Sequence, residues 1–174
     1  MIIKNFEINK LDFNLNKIFL LYGKNEGLKK ETIKSIIKNK ENLNFYEEKE
    51  IIENSSLFVE SIISKSLFNN EKKIIIRRVT DKFLNIIKEI KEKNLDDVTI
   101  IVNSENLDKK SKLRSFFEKD KDLICIPFYP DTEQTLSKIA YNFLAEKKIS
   151  ISSSNINLVI SKCGGDREVL LNEL

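Results

Sequence analysis

The sequence has no histidine, only two cysteines and only two prolines among its 174 residues. Without histidine the chain cannot use an imidazole as an acid–base catalyst, as the partner of a serine or cysteine nucleophile, or as a metal ligand. Cys125 and Cys163 form neither a paired-cysteine metal motif nor a disulfide framework, and both are predicted to be buried small hydrophobic residues in a reduced, intracellular protein. These absences exclude several large classes of hydrolase and metalloenzyme.

Long hydrophobic runs and a one-sided charge are also missing. No segment approaches the roughly 20 apolar residues of a membrane-spanning helix, and the first residues lack the pattern of a signal peptide. Thirty basic and 27 acidic residues give a formal net charge of +3 and are spread along the chain without a basic arm. We therefore expect a soluble, cytoplasmic protein with no membrane partner and a surface of mixed charge.

The sequence alternates short apolar runs, which are typical of strands, with segments whose apolar residues recur at helical spacing. This order is typical of a doubly wound α/β fold whose mostly parallel sheet of five strands is buried on both faces. The helices between the strands are predicted to begin near Leu28, after Ser55 and Ser56, around Phe83 and near Asp108. After an N-terminal strand-like piece at residues 2–8, the five strands are predicted at residues 17–22, 43–47, 73–79, 98–102 and 123–128.

Both prolines lie within residues 127–130, which predicts a domain boundary there. Residues 1–129 are expected to form the α/β domain, and residues 130–174 a small helical lid domain. The spacing of Asp131 and Gln134 predicts a capping box at the start of its first helix.

Two further helices complete this predicted lid domain. One follows the serines at 152–154 and stops at Gly164 and Gly165. Asp166 begins the other, which reaches Leu174 without a C-cap. We therefore expect the lid domain to be truncated at its C-terminus.

The apolar run that ends at Gly23 and leads into a helix is typical of a phosphate-binding corner. A P-loop reads G-x-x-x-x-G-K-[ST], in which the second glycine admits the phosphates, the lysine meets their charge and the hydroxyl holds Mg²⁺. Counted from Gly23, the last three positions are Leu28, Lys29 and Lys30, so only the lysine is kept. The sequence predicts a degenerate P-loop that binds no nucleotide and no other cofactor, with Lys29 a solvated helix residue.

The sequence also lacks a second feature that an ATPase requires, which would directly follow the strand at residues 98–102. A working site needs acidic side chains there to hold Mg²⁺ and polarise water. The next two residues are Asn103 and Ser104. We therefore predict no catalytic residue and no metal site.

Two large apolar residues, Leu67 and Phe68, follow Ser66 at the end of the second predicted helix. They either fold back into the core or protrude into an apolar pocket of a partner, where burial is worth about 1.5–3 kcal/mol for each side chain. The basic residues Lys72, Lys73, Arg77 and Arg78 bracket the next strand. They are either ordinary strand-end charges or, for Arg77 and Arg78, contacts to phosphate or DNA.

The ordered motifs together resemble the delta subunit of the bacterial DNA polymerase III clamp loader over essentially the whole chain. No single motif is specific, but their order and spacing are. The matching segments are residues 19–23 (FLLYG), 66–68 (SLF), 106–113 (NLDKKSKL) and 164–174 (GGDREVLLNEL).

The resemblance implies an AAA+-like α/β domain without a functional P-loop, followed by a second, helical domain. It also implies a non-catalytic subunit whose Ser66, Leu67 and Phe68 bind the sliding clamp, the beta subunit, and open it for loading onto primed DNA. The other loader subunits are partners of the full-length protein, and the family's third, collar domain is absent from this sequence. Two alternatives stay open: a divergent NTPase that uses Lys29, and a DNA-binding module that uses Lys72, Lys73, Arg77 and Arg78.

Overall fold

The structure is a computed structural model that describes residues 1–3, 7, 17–37, 42–64, 71–93, 95 and 97–174. The strands are β1 (Ile18–Gly23), β2 (Leu43–Glu47), β3 (Lys72–Arg77), β4 (Val98–Ser104) and β5 (Leu123–Phe128). The helices are α1 (Glu26–Ile36), α2 (Glu48–Glu53), α3 (Ser55–Ile63), α4 (Leu84–Glu92), α5 (Lys112–Lys119), α6 (Glu133–Glu146), α7 (Ser153–Lys162) and α8 (Arg167–Glu173). A 3₁₀ turn, Asp81–Phe83, precedes α4.

The five strands form one parallel sheet in the order β2-β3-β4-β1-β5, which confirms the predicted fold class. The register pairs Leu20 of β1 with Val102 of β4, and Ile76 of β3 with the same Val102. At the other edge of this group, Glu47 of β2 pairs with Arg77 of β3. This order brings the ends of β1 and β4 together, where a nucleotide-binding domain would place its phosphate and metal residues.

The central strands are buried on both faces because their side chains alternate between two apolar layers. On one face, Leu20, Ile76 and Val102 belong to a core cluster that also contains side chains of α3, α4 and α5. The alternate residues, such as Phe19 and Ile101, are buried as well. Cys125 lies in this core, and burial raises the pKa of its thiol to about 12, so it remains a protonated apolar side chain as predicted.

Most of the predicted strands and helices are found, with shifts of a few residues at their ends. The predicted strand at residues 2–8 lies largely outside the described residues, although Ile2 forms an isolated parallel bridge to Cys125. The helix expected near Asp108 begins instead at Lys112, after the N-cap Ser111. Helix α2 was not predicted, because it has only six residues and follows β2 without a loop.

The contacts within the chain define two compact units. The first, which we call the sheet unit, contains Met1–Gly23 and Thr32–Pro127. The second, the helical unit, contains Phe128–Leu174 together with Lys24–Glu31, the segment that follows β1. The predicted assignment of residues 1–129 and 130–174 to two domains stays a prediction.

The helical unit is built around a small apolar core from α6, α7 and α8, with Leu136, Ala140, Ile156 and Leu170 at its centre. Helix α7 begins after the N-cap Ser152, as the serine cluster predicted, and α8 begins after the N-cap Asp166. The cap of α6 was predicted wrongly. Thr132, not Asp131, accepts the hydrogen bond from the backbone N–H of Thr135. No helix among the described residues is long and apolar enough to span a membrane.

Candidate functional site

The corner after β1 begins with the turn that a phosphate-binding loop requires. Gly23 has a φ of 127°, a backbone conformation that side-chain-bearing residues rarely adopt. Its backbone N–H donates to the carbonyl oxygen of Glu105 at 2.7 Å, which fixes the end of β1 beside the loop that follows β4. The sheet unit therefore retains the geometry of the corner up to this glycine.

Beyond Gly23, the backbone N–H of Leu28 is already bonded within the protein. Asn25 is 2% exposed, and its Oδ1 accepts from the backbone N–H of Leu28 at 3.0 Å. Its Nδ2 donates to the carbonyl oxygen of Tyr129 at 3.0 Å and to Oδ2 of Asp131 at 2.9 Å. Asn25 thus caps α1 and binds the chain just before α6. The backbone N–H of Leu28 lies at the position of the second P-loop glycine. It already donates to Asn25 and does not require a phosphate oxygen as an acceptor.

Arg167 occupies the space beside Gly27. A Cβ atom at residue 27 would lie 2.7 Å from Cγ of Arg167 and 3.2 Å from the backbone nitrogen of Glu168. Those separations are shorter than ordinary van der Waals contacts. Gly27 is therefore required so that α8 can approach the first turn of α1 within the helical unit.

The guanidinium of Arg167 is bound by two carboxylates. Its Nε and Nη2 donate to the two oxygens of Asp131 at 2.8 and 2.7 Å, and its Nη1 donates to Oε2 of Glu31 at 2.7 Å. The side chains of Arg167 and Asp131 are only 12% and 6% exposed. A bidentate pair of this kind is among the stronger charge-assisted contacts in proteins.

The pKa of Asp131 reflects this pairing. Burial raises the pKa of the carboxyl, but the hydrogen bonds from Arg167 and Asn25 outweigh that effect and leave the pKa below its ordinary value. The same contacts raise the pKa of Arg167. Both groups are charged at neutral pH, and this ion pair replaces the capping role that the sequence predicted for Asp131.

The two lysines of the degenerate P-loop are also paired with carboxylates. Lys29 is not the solvated residue that was predicted: its side chain is 1% exposed and its Nζ lies 2.6 Å from Oε1 of Glu26. Lys30 is 59% exposed and lies 2.6 Å from Oε1 of Glu168. Lys29, Lys30 and Arg167 therefore face four carboxylates, those of Glu26, Glu31, Asp131 and Glu168.

The end of β4 carries no acidic side chain. Asn103 and Ser104 are its last two residues, and Oγ of Ser104 donates to the carbonyl oxygen of Val79 at 2.5 Å. Oδ1 of Asn103 is buried and has no hydrogen-bond partner among the described residues. Across the described part of the chain, no group of three or more His, Cys, Asp or Glu side chains could hold a metal ion.

A cleft of about 680 Å³ lies at the ends of β3 and β4, and Arg78, Lys82, Asn106 and Lys110 are among its lining residues. Asp81, Glu105 and Asp108 are the acidic residues of its lining. The carboxylate of Asp81 binds the N-terminus of α5, because it accepts from Oγ of Ser111 at 2.6 Å and from the backbone N–H groups of Lys112 and Leu113 at 3.1 and 3.0 Å. The protein itself therefore supplies the anion that the start of this helix favours.

Arg77 and Arg78 lie at the end of β3, as predicted, but they make separate contacts. The guanidinium of Arg77 lies 4.5 Å from the centre of the Phe45 ring. Arg78 has a φ of 55°, and its Nη2 lies 2.9 Å from Oε2 of Glu47. A contact of either arginine with DNA stays a prediction.

The remaining basic and apolar candidates are placed as follows. Nζ of Lys72 donates to the carbonyl oxygens of Ser61 and Ser64 at the end of α3, a structural contact. Ser66, Leu67 and Phe68, the predicted clamp-binding residues, lie outside the described residues. Their role stays a prediction.

Sequence reasoning missed Asn25, Gly27 and Arg167 as residues of the corner. A glycine in the first turn of an amphipathic helix was one local signal, because a glycine there often marks a close approach of another backbone. Asn25, three residues before Leu28, was a second local signal, because asparagine is a favoured N-cap residue. The contact of Asn25 with Asp131 and that of Arg167 with Asp131 span more than 30 residues and leave no local pattern.

The fold is an α/β domain with a five-stranded parallel sheet like that of AAA+ domain structures, and the chain's own side chains pair with the cations that follow β1. Among solved structures, the Bacillus subtilis DNA clamp loader delta protein (YqeN) is similar over 97% of this chain, with a TM-score of 0.64 and 14% identity. The replication initiator DnaA bound to AMPPCP and single-stranded DNA is similar over 97%, with a TM-score of 0.60 and 14% identity. A variant of RuvB from Thermotoga maritima is similar over 91%, with a TM-score of 0.57 and 13% identity.

This likeness is one of fold. The chain spans 55% of the length of the B. subtilis delta protein, 56% of the DnaA chain and 53% of the RuvB chain. No protein-family model and no curated protein sequence matches the chain.

Proposed function

We propose that this chain is the clamp-binding part of a delta-type clamp-loader subunit, which binds and opens a sliding clamp without binding nucleotide. The observation that supports this proposal is that three cations of this corner, Lys29, Lys30 and Arg167, are each paired with a carboxylate of the same protein. A polyphosphate that bound them would have to displace these carboxylates, which carry the same sign of charge. The DnaA neighbour was solved with AMPPCP on the same fold, so the fold alone does not decide whether a nucleotide binds.

The likeness of fold to the B. subtilis clamp loader delta protein supports clamp loading as one of the functions found on this fold. It adds to the resemblance of the ordered sequence motifs, which implies that Leu67 and Phe68 enter an apolar pocket of the clamp. A subunit of this kind performs no chemistry. It favours the open ring only by the amount that it binds the open conformation more tightly than the closed one.

The test is calorimetric binding of the chain to the sliding clamp of the same organism, for the wild type and for the double variant Leu67→Ala, Phe68→Ala. Truncation of a hot-spot residue costs about 2 kcal/mol or more, so the double variant is expected to lose at least about a hundredfold in affinity. Circular dichroism checks that the variant remains folded.

The matched control is the double variant Tyr129→Ala, Leu158→Ala. It also removes one aromatic and one leucine side chain, and these are 70% and 59% exposed. The control is expected to bind the clamp as the wild type does. A folded Leu67, Phe68 variant with unchanged affinity would show that this pair is not the clamp-binding site, and a wild type without measurable binding would refute clamp binding itself.

A further inference from the structure

The carboxylates of the corner also hold residues 24–31 within the helical unit. Arg167 is the centre of this arrangement, because three of its five N–H donors are directed at Asp131 and Glu31. One planar guanidinium thereby joins α1 to the segment just before α6. Its fixed geometry makes the bidentate pair with Asp131 more specific than a lysine contact would be.

Residues 24–31 make further contacts within the helical unit. Lys30 pairs with both oxygens of Glu168 on α8 at 2.6 and 2.7 Å, and Asn25 binds the carbonyl oxygen of Tyr129. Gly27 leaves the space into which the stem of Arg167 fits. These contacts cross more than 100 residues of sequence, so the position of residues 24–31 is set by tertiary contacts with α8 and the chain before α6.

Cations gathered at the start of a helix after a Gly-ended strand are the usual setting for a phosphate ligand. Here the anions are side chains of the same protein. We infer that the carboxylates of Asp131 and Glu31 take the place of an anionic ligand of Arg167, so that residues 24–31 stay attached to the helical unit without any bound phosphate. This inference rests on the proposed loss of nucleotide binding and not on clamp binding.

Residues 24–31 are therefore held by carboxylates of the protein itself, and the inference involves no ligand whose departure would release them.

Hydrogen exchange of the full chain, read by mass spectrometry on peptides that cover residues 24–31, tests the inference. Arg167→Ala is expected to speed exchange in these peptides at least tenfold, while peptides from β4 in the sheet unit keep their rates. Arg167→Lys, which keeps the charge but not the bidentate geometry, is expected to give an intermediate increase. The control Lys162→Ala removes an exposed cation at the end of α7 and is expected to change nothing.

A second variant covers the case in which Arg167→Ala does not fold. Glu31→Gln alters a side chain that is 51% exposed, and it is expected to speed exchange of residues 24–31 by about threefold. Unchanged exchange in a folded Arg167→Ala chain, or in Glu31→Gln if the former does not fold, would overturn the inference.

Hydrogen exchange is also measured with added Mg²⁺ and ATP, and with added inorganic pyrophosphate, to distinguish the inference from the proposed function. Neither is expected to slow exchange of residues 24–31 in the wild type. A slowing by either would overturn the inference, and a slowing by ATP would also count against the proposed loss of nucleotide binding. Clamp binding is measured separately, so its failure would leave the result on Arg167 intact.

Discussion

At the scale of single residues, the corner depends on a glycine and an arginine that sit on different helices. Gly27 has no side chain where the Cγ of Arg167 lies, and Arg167 uses that space to reach Asp131. Neither residue has an obvious role when its own helix is considered alone. Together they predict that a larger residue at position 27 would destabilise the packing, although Leu28 beside it is bulky.

The substitution Gly27→Ala tests this packing because two physical effects oppose one another. Alanine is a better helix former than glycine by up to about 1 kcal/mol, so stabilisation would be expected on propensity alone. The new Cβ would lie 2.7 Å from Cγ of Arg167, which forces side chains or backbone to move at a cost of about 1–3 kcal/mol. We expect net destabilisation, measured as a lower midpoint in urea unfolding.

The matched control for Gly27→Ala is the same substitution in an Arg167→Ala background. There the Cγ is gone, so the cost of the added methyl group should be smaller and the double-mutant cycle should give a favourable coupling. Equal destabilisation in both backgrounds would mean that Arg167 is not what makes glycine necessary.

Individual residues also show where a sequence interpretation is weakest. The spacing of Asp131 and Gln134 fits a capping box, but the carboxylate binds Arg167, 36 positions away, and Thr132 supplies the cap. Lys29 was predicted to be solvated and is buried beside Glu26. The partner of Asp131 is supplied by the tertiary structure and leaves no local pattern, whereas the partner of Lys29 lies three positions away on the same helix and only the burial of Lys29 depends on distant residues.

At the scale of elements, β1, β4 and β5 were predicted well because they are almost wholly buried and therefore form continuous apolar runs, whereas β2 is a partly exposed edge strand. The predicted residues 43–47 and 123–128 coincide with β2 and β5. Helix α5 was placed too early because residues 108–110 look helical by composition, whereas the carboxylate of Asp81 binds the first N–H groups of the helix at Lys112 and Leu113. The partner that decides the start lies about 30 residues upstream.

Asp131 binds both Arg167 of α8 and Asn25 at the start of α1, and these contacts are expected to weaken as the pH falls. The folded-state pKa of Asp131 lies below its ordinary value of 3.8, so its ion pair stabilises the protein above that pH and the contribution is lost as the pH falls through the lower, folded-state pKa. Asp131→Asn should therefore lower stability on the order of 3 kcal/mol at pH 7 and by less at pH 3, where protonation of the carboxyl in the unfolded chain removes up to about 1 kcal/mol of the contribution. Urea unfolding at pH 7, 4 and 3 for both proteins measures the difference.

Other carboxyl groups with lowered pKa values, Asp81, Asp120 and Glu71, lie in the sheet unit and titrate equally in both proteins. The comparison at each pH therefore isolates Asp131. A difference between the two proteins that stays constant from pH 7 to pH 3 would contradict the role given to its charge.

At the scale of the whole molecule, the sequence order predicted an α/β fold with a parallel sheet, and the structure confirms it. The departures from a nucleotide-site pattern, at Leu28 and at Asn103, could be read from the sequence because they lie at fixed distances from a strand. The contacts of residues 24–31 with Asp131 and Arg167 could not, because these partners lie 100 or more positions later in the chain.

Thermal unfolding with and without Mg²⁺ and ATP tests the proposed loss of nucleotide binding. A ligand at 100 times its Kd stabilises a protein by about 2.7 kcal/mol, which for a chain of this size raises Tm by roughly 5–10 °C. We expect no change in Tm. A Mg²⁺-dependent rise that disappears in Lys29→Ala would instead support a divergent NTPase.

The helical unit is assembled from two stretches of chain, residues 24–31 and residues 128–174, with most of the sheet unit encoded between them. On a ribosome, α1 is made long before α8, and contacts such as that of Lys30 with Glu168 span 138 positions. Vectorial synthesis therefore leaves Lys30 of α1 without its partner Glu168 until the last helix has emerged. The corner is expected to be the last part of the fold to form, and residues 128–174 produced alone would keep the pair of Asp131 and Arg167 but lack Lys30, the partner of Glu168.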